Sequence, residues 1–212
     1  MIKYQPSGKI NFALLALNLF PDLNIHQMRK IILSLAVSLD GFIEGPNKEV
    51  DWMIFDEETG LALNTFIQQI DTILYGRVSY ESWGSYNPPE NSADFEKNFY
   101  GATNKMKKYV FTTSEKKFEG NPTTIKSNIA QTMLQLKQLP GKDIWLYGGA
   151  GLISTFVNLN LIDEFKIAVI PVILGDGNPM FKEIKQRVKL KLLEVEAAKS
   201  GTVALSYERL VD

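Results

Sequence analysis

Ile144-Trp145-Leu146-Tyr147-Gly148-Gly149-Ala150-Gly151-Leu152 carries an apolar strand pattern into a cluster of glycines and out into a helical pattern. Strand, tight turn and helix in that order form the repeating unit of an α/β sheet. Glycine has no Cβ, so a ligand can come close to the main chain there. A helix that starts at such a turn offers unpaired N–H groups and the positive end of its dipole to an anion. The stretch therefore predicts both an architecture and a place where a phosphate could rest.

The same alternation runs outward in both directions. Lys30 to Val37 reads as a buried strand, and Asp40-Gly41 and Pro46-Asn47 as turns. Glu57 to Gln69 sets Leu61, Ala62, Phe66, Ile67 and Ile70 on one helical stripe. Thr72 to Tyr75 is a strand closed by Gly76, and a short helix over Val78 to Trp83 follows. Asn91 to Lys107 reads as helix, Tyr109 to Thr112 as strand, and Asn128 to Leu139 as a helix ended by Pro140-Gly141. After the glycine cluster come a helix over Leu152 to Leu159 and a strand over Glu164 to Val172. Lys189 to Ala197 and Val203 to Leu210 form a closing hairpin turned at Ser200-Gly201. The expectation is a three-layer α/β/α sandwich. Its mixed, mostly parallel sheet has helices on both faces and an antiparallel hairpin at one edge.

Composition narrows the chemistry. With 212 residues, 45% of them hydrophobic, the chain can bury one substantial core. A net charge of −1 leaves no broad basic field, which argues against nucleic acid as partner. There is no cysteine, so disulfides, thiol nucleophiles and thiolate metal sites are excluded together. His26 is the single histidine, which argues against a Ser-His-Asp triad and against a histidine metal site; no metal is expected. In residues 1–27, the apolar stretch from Ile10 to Phe20 is too short for a membrane span of about 20 residues and lacks a cleavage signal. We read this segment as an N-terminal extension: an accessory helix, or translated sequence ahead of a start at Met28. Residues 28–212 are then one domain, expected to be cytoplasmic and without membrane contact.

Three tips fall at the C-terminal ends of predicted strands, where open α/β sheets bind ligands. Gly76-Arg77 adds a guanidinium fork that fits a phosphate. Thr112-Thr113-Ser114 adds hydroxyls, and Gly148-Gly149-Ala150-Gly151 adds backbone N–H groups. One fork, one hydroxyl pair and one glycine cradle suit a dinucleotide with an extra phosphate; three ordinary loops would leave the same trace. The G-x-G-x-x-G fingerprint and the phosphate-loop Gly-Lys-Ser/Thr are both absent.

In their order along the chain, five segments resemble the dihydrofolate reductase-like superfamily, and especially the reductase domain of bacterial riboflavin biosynthesis. They are Leu35-Ala36-Val37-Ser38-Leu39-Asp40-Gly41, Ile73-Leu74-Tyr75-Gly76-Arg77, Leu146-Tyr147-Gly148-Gly149, Leu161-Ile162-Asp163-Glu164 and Pro171-Val172-Ile173-Leu174-Gly175-Asp176-Gly177. The resemblance implies an NADPH-dependent reductase of a small pyrimidine- or pteridine-like molecule, with a 5-amino-6-(5-phosphoribosylamino)uracil type favoured over dihydrofolate. It implies a Gly148–Gly149 peptide that is often cis, and a diphosphate held from Gly148 to Leu152. Gly76, Arg77, Ser79, Thr113 and Ser114 would hold the adenosine side with its 2′-phosphate, and the Ala36 backbone would meet the nicotinamide carboxamide. Asp40 would begin a mobile loop over the active site. Glu57, five residues after Trp52, has the spacing of the folate-type acid, although acids at a helix start also serve its dipole. Riboflavin-type relatives imply a homodimer. The alternative reading is a nucleotide-binding or sensing protein that keeps the fold without catalysis.

Overall fold

The computed structural model describes residues 28–210; the N-terminal extension, His26 and the last two residues lie outside the described residues. Ten strands and five helices are laid out along them. β1 spans Ile31–Ser38, β2 Phe42–Glu44, α1 Glu57–Ile67, β3 Ile70–Gly76, α2 Arg77–Trp83, α3 Asp94–Thr103, β4 Lys107–Phe111 and β5 Thr123–Ile125. α4 spans Ile129–Gln138, β6 Asp143–Gly148, α5 Ala150–Asn158, β7 Glu164–Ile170, β8 Asn178–Pro179, β9 Leu190–Ala197 and β10 Val203–Arg209.

Eight strands form one sheet in the order β5-β4-β3-β6-β1-β7-β10-β9. From β5 to β7 every pair is parallel, and β10 runs antiparallel to both β7 and β9. This is the sandwich with a closing hairpin that the alternation predicts. Strands buried on two faces must be apolar on both, which is why β1 reads as an unbroken apolar run. Its Ile31, Leu33 and Val37 pack into a core with Met133 and Leu136 of α4 and Leu152, Ile153 and Phe156 of α5. Its Ile32 points the other way. There it meets a second core built from Phe66 and Ile67 of α1, Tyr80 of α2, Phe99 of α3, and Tyr75 and Trp145 of the sheet.

Several boundaries differ from the sequence expectation. The helix expected to reach Lys107 stops at Thr103, where Asn104 donates its amide to Tyr86 O and Asn87 Oδ1 and the chain turns into β4. The strand expected to reach Val172 ends at Ile170, because Pro171 has no N–H to give the ladder. β2, β5 and β8 are three residues or fewer, too short to leave a period in the sequence. A register shift between Ser206 and Tyr207 leaves Leu193 as a bulge in the outer strand of the hairpin.

Candidate functional site

β4, β3 and β6 are adjacent and parallel, so the three tips after them stand side by side at one edge of the sheet. A Cβ built on Gly76 would lie 3.4 Å from both Gly148 O and Gly149 N, so the first and third tips touch through their backbones. The Gly148–Gly149 peptide is cis, as the resemblance implies. Gly149 is the N-cap of α5, with no side-chain cap and no acidic residue in the first turn. The first-turn N–H groups thus lack an intrahelical acceptor, and they face the space beside the tips.

That space is a cavity of about 1590 Å3. Pockets for one small ligand run to about 300–1,000 Å3, so this one has room for two molecules together. Of the sequence-predicted residues, Ala36, Gly76, Arg77, Ser79, Thr113, Gly149, Ala150, Gly151 and Leu152 all line it. Gly148 backs onto Ile153 instead, and Ser114 does not line the cavity. The Ser114 N–H donates to Thr112 Oγ1 and its Oγ accepts from Lys116 N, which shapes the tip. Thr112 of the hydroxyl tip lines the cavity too, and so do Lys126 and Thr155, which the sequence reading did not name. Only the folded chain brings Lys126 and Thr155 to it, since one follows the short strand β5 and the other lies a turn along α5.

Charge at this end is basic and ordered. Arg77 Nη1 reaches Glu81 Oε2 at 2.7 Å, and Lys116 Nζ reaches Glu81 Oε1 at 2.7 Å. The Lys116 hydrogen bond, with Arg77 behind it, holds the Glu81 carboxyl below its usual range. Arg77 stays substantially exposed, with a side-chain exposure of 43%, and its planar fork has donors to spare for a phosphate.

At the centre of the cavity the sheet itself parts. β1 and β6 pair only from Ile31↔Ile144 to Leu33↔Leu146. β1 continues beside β7 to Ser38↔Ile170, while β6 stays with β3 as far as Tyr75↔Gly148. Hydrogen bonding along a parallel strand alternates sides. The Lys30 carbonyl accepts from Ile144 N on the β6 side, and the Ile31 carbonyl accepts from Asp163 N on the β7 side. By that alternation the N–H and C=O of Ala36 point toward β6, where the partner strand has gone. Trp145 Nε1 reaches part way across the gap to Ser34 O at 2.9 Å. A planar amide presented in the gap would find a donor and an acceptor on Ala36.

The two residues expected at the catalytic end, Asp40 and Glu57, lie off the cavity. Asp40 accepts from Ser38 Oγ at 2.7 Å, Gly175 N at 2.8 Å and Leu174 N at 3.2 Å, so its carboxylate pins two loops together. These bonds, Ser38 first, lower its pKa, and it does not line the cavity. Glu57 does not line it either; Glu58 does, and its Oε2 accepts from Lys199 N at 3.3 Å in the turn between β9 and β10. Beyond the gap the wall turns aromatic and apolar, with Met53, Phe55, Trp83, Tyr86, Trp145 and Tyr147. Among the described residues no cluster of acidic or histidine side chains could hold a metal ion, and no helix is long and apolar enough to cross a membrane.

Comparison with known proteins shows the family and the fold. The family described as RibD C-terminal domain matches residues 29–204. The uncharacterized protein YyaP of Bacillus subtilis is 48% identical over 181 residues, covering 85% of this chain and 95% of that one. Among solved structures, a diaminohydroxyphosphoribosylaminopyrimidine deaminase/5-amino-6-(5-phosphoribosylamino)uracil reductase of Thermotoga maritima superposes with a TM-score of 0.62 at 15% identity. The match covers 91% of this chain and 60% of the bifunctional one. Dihydrofolate reductase from Enterococcus faecalis, complexed with NADP(H), superposes with a TM-score of 0.58 at 14% identity over 85% of this chain and 96% of that one. At these identities the two structures speak for a shared fold.

Proposed function

Since this chain belongs to the RibD C-terminal domain family, we propose that it is an NADPH-dependent oxidoreductase that reduces a small pyrimidine- or pteridine-like heterocycle. The single observation that carries the reading is the parting of β1 from β6. It leaves the Ala36 peptide groups facing a gap whose far wall is the glycine cradle. The residues present suit the cofactor. The uncapped first turn of α5, from Ala150 to Leu152, would take the diphosphate, with Gly149 small enough to let it in. Arg77, Ser79 and Thr113 would take the adenosine side, the guanidinium meeting the 2′-phosphate, and Ala36 would hold the carboxamide.

When bound, NADPH supplies the hydride. The protein's part is to hold two rings face to face, exclude water and set the electrostatics, as cofactor enzymes do. The aromatic wall from Trp83 to Tyr147 favours a flat substrate, and the uracil-type ribosylamino compound is favoured over dihydrofolate. We place the reaction in the cytoplasm and the enzyme in a homodimer. The deciding experiment titrates NADPH against the protein by fluorescence transfer, then follows NADPH oxidation with the ribosylamino-uracil substrate beside dihydrofolate. Micromolar binding with turnover of the first supports the proposal. Binding with no turnover on either moves the protein to the nucleotide-binding, non-catalytic reading.

A further inference from the structure

Proton delivery is the part of the reduction that neither Asp40 nor Glu57 reaches. Tyr147 stands where such a group is needed. It is the last side chain of β6 before Gly148, at the lip of the gap opposite β1, and it lines the cavity. Its ring is clamped, with centroids 4.7 Å from Tyr75 and 5.0 Å from Trp145. No described residue exchanges a hydrogen bond with its hydroxyl. The buried polar side-chain atoms left without a partner among the described residues are Asn178 Oδ1 and Arg209 Nε. The Tyr147 oxygen is not sealed off in that way, so it opens on the cavity. A tyrosine held this firmly usually spends its hydroxyl on a protein partner. Tyr80 in the same aromatic cluster does, donating to Glu119 O at 2.6 Å.

We propose that Tyr147 meets the substrate at the bond being reduced, its phenol donating to the heteroatom of the C=N or C=O group. This rests on the reductase reading above. The step balances as follows. The substrate carbon gains the hydride and forms a C–H bond, leaving NADP+. The π pair moves to the heteroatom, which takes the phenol proton, and the phenolate recovers a proton from cavity water. Burial, and then the nearby phenols Tyr75 and Tyr100, push the Tyr147 phenol well above its usual range. The group therefore stays protonated across the working pH range. A nitrogen or oxygen anion developing on the substrate is more basic still and takes the proton downhill.

The test compares the wild type with Tyr147→Phe, which keeps the ring and removes the oxygen, and with Tyr75→Phe, whose ring stacks on Tyr147 without lining the cavity. Three quantities are followed: NADPH affinity, affinity of the ribosylamino-uracil substrate for the NADP+-loaded protein, and kcat against pH with that substrate and with dihydrofolate. Tyr147→Phe should bind NADPH within twofold of wild type and bind substrate several-fold more weakly. It should lose about 100-fold in kcat, the scale of one acid–base group. Tyr75→Phe should keep kcat within twofold. The wild-type kcat should stay level into mildly alkaline pH, because the raised phenol keeps its proton beyond the ordinary value near 10; any loss at higher pH should follow the folded fraction and be shared by Tyr147→Phe. Wild-type turnover with Tyr147→Phe equally active, or a wild-type kcat that already falls at mildly alkaline pH while the protein stays folded, overturns the role of Tyr147 alone. A wild type that binds NADPH but reduces neither substrate overturns the proposal together with the reductase reading.

Discussion

Gly148 and Gly149 are neighbours with different reasons to be glycine. Gly148 has a φ of +118°, which a side chain rarely adopts, whereas Gly149 sits in ordinary extended backbone with a φ of −87°. A methyl on Gly149 would stand 3.3 Å from Ser79 Oγ, inside the cavity wall. Gly148→Ala should therefore cost stability, about 1–3 kcal/mol in a denaturant titration. Gly149→Ala should fold with a nearly unchanged Tm and weaken NADPH binding tenfold or more. Arg77→Ala separates binding from stability in the same way. Its ion pair with Glu81 is half exposed, so losing it should change stability by about 1 kcal/mol or less. A charged hydrogen bond to a phosphate is worth about 1.5–3 kcal/mol, so NADPH affinity should drop roughly 10- to 100-fold and the preference over NADH should collapse. Equal loss of NADPH and NADH affinity would remove Arg77 from the 2′-phosphate site.

Helices hold the walls of the site in place, and each does so through a different part of its length. α5 presents its N-terminus to the cavity and anchors its other face in the core, where Phe156 is fully buried and meets the Phe111 ring edge-on at 5.3 Å. Phe156→Ala should destabilise by about 3–5 kcal/mol and loosen cofactor binding with it, because the cradle rides on that helix. α1 is started by Asp56, whose Oδ1 accepts from Thr59 N at 2.8 Å and whose carboxyl is held below its ordinary value of 3.8 mainly by that bond. A depressed folded pKa stabilises above the unfolded value, and that contribution goes as pH falls through the folded one. The cap should thus be intact at neutral pH and weaken progressively as pH falls below about 4. Asp56→Ala should lower Tm at pH 7, and by progressively less as the pH is taken below about 4.

Across the molecule several tyrosines are packed between sheet and helices. Burial raises the pKa of Tyr75, Tyr80 and Tyr147, and that of Tyr100 to about 12. A group whose folded pKa is raised stabilises fully below its unfolded value, near pH 10, and loses that contribution as pH climbs through the folded value. Tm should be flat through neutral pH and fall from about pH 10 upward, tracked by tyrosinate absorbance. The sheet also ends on an open strand. β9 leaves Leu190, Leu192, Leu193 and Val195 exposed along an edge with unpaired backbone groups. A homodimer paired through β9 would cover them, and Val195→Lys should then shift the sedimentation mass from dimer to monomer while leaving the fold intact.

The strand, turn and helix around Gly148-Gly149 were legible because local rules govern them. Apolar runs make buried strands, a 3.6-residue period makes amphipathic helices, and glycine marks close backbone approach. The order of these units was enough for the architecture, and Gly76-Arg77, Thr113 and Gly149 to Leu152 were enough for one wall of the cavity. Short pieces such as β2 and β5 left no trace, since three residues cannot show a period. The opposite wall depended on packing across the sheet. Glu57 has the expected spacing from Trp52, but the turn of α1 puts its neighbour Glu58 on the cavity and Glu57 off it. Asp40 reads as a loop residue, and only the approach of Leu174 and Gly175 makes it a pin between loops. Tyr147 reads as the last residue of a strand before the glycines. Sequence alone determined which elements form and where the backbone is bare. The tertiary structure decided that β1 and β6 part beside Tyr147, because that gap depends on how two strands distant in the chain diverge after Leu33 and Leu146.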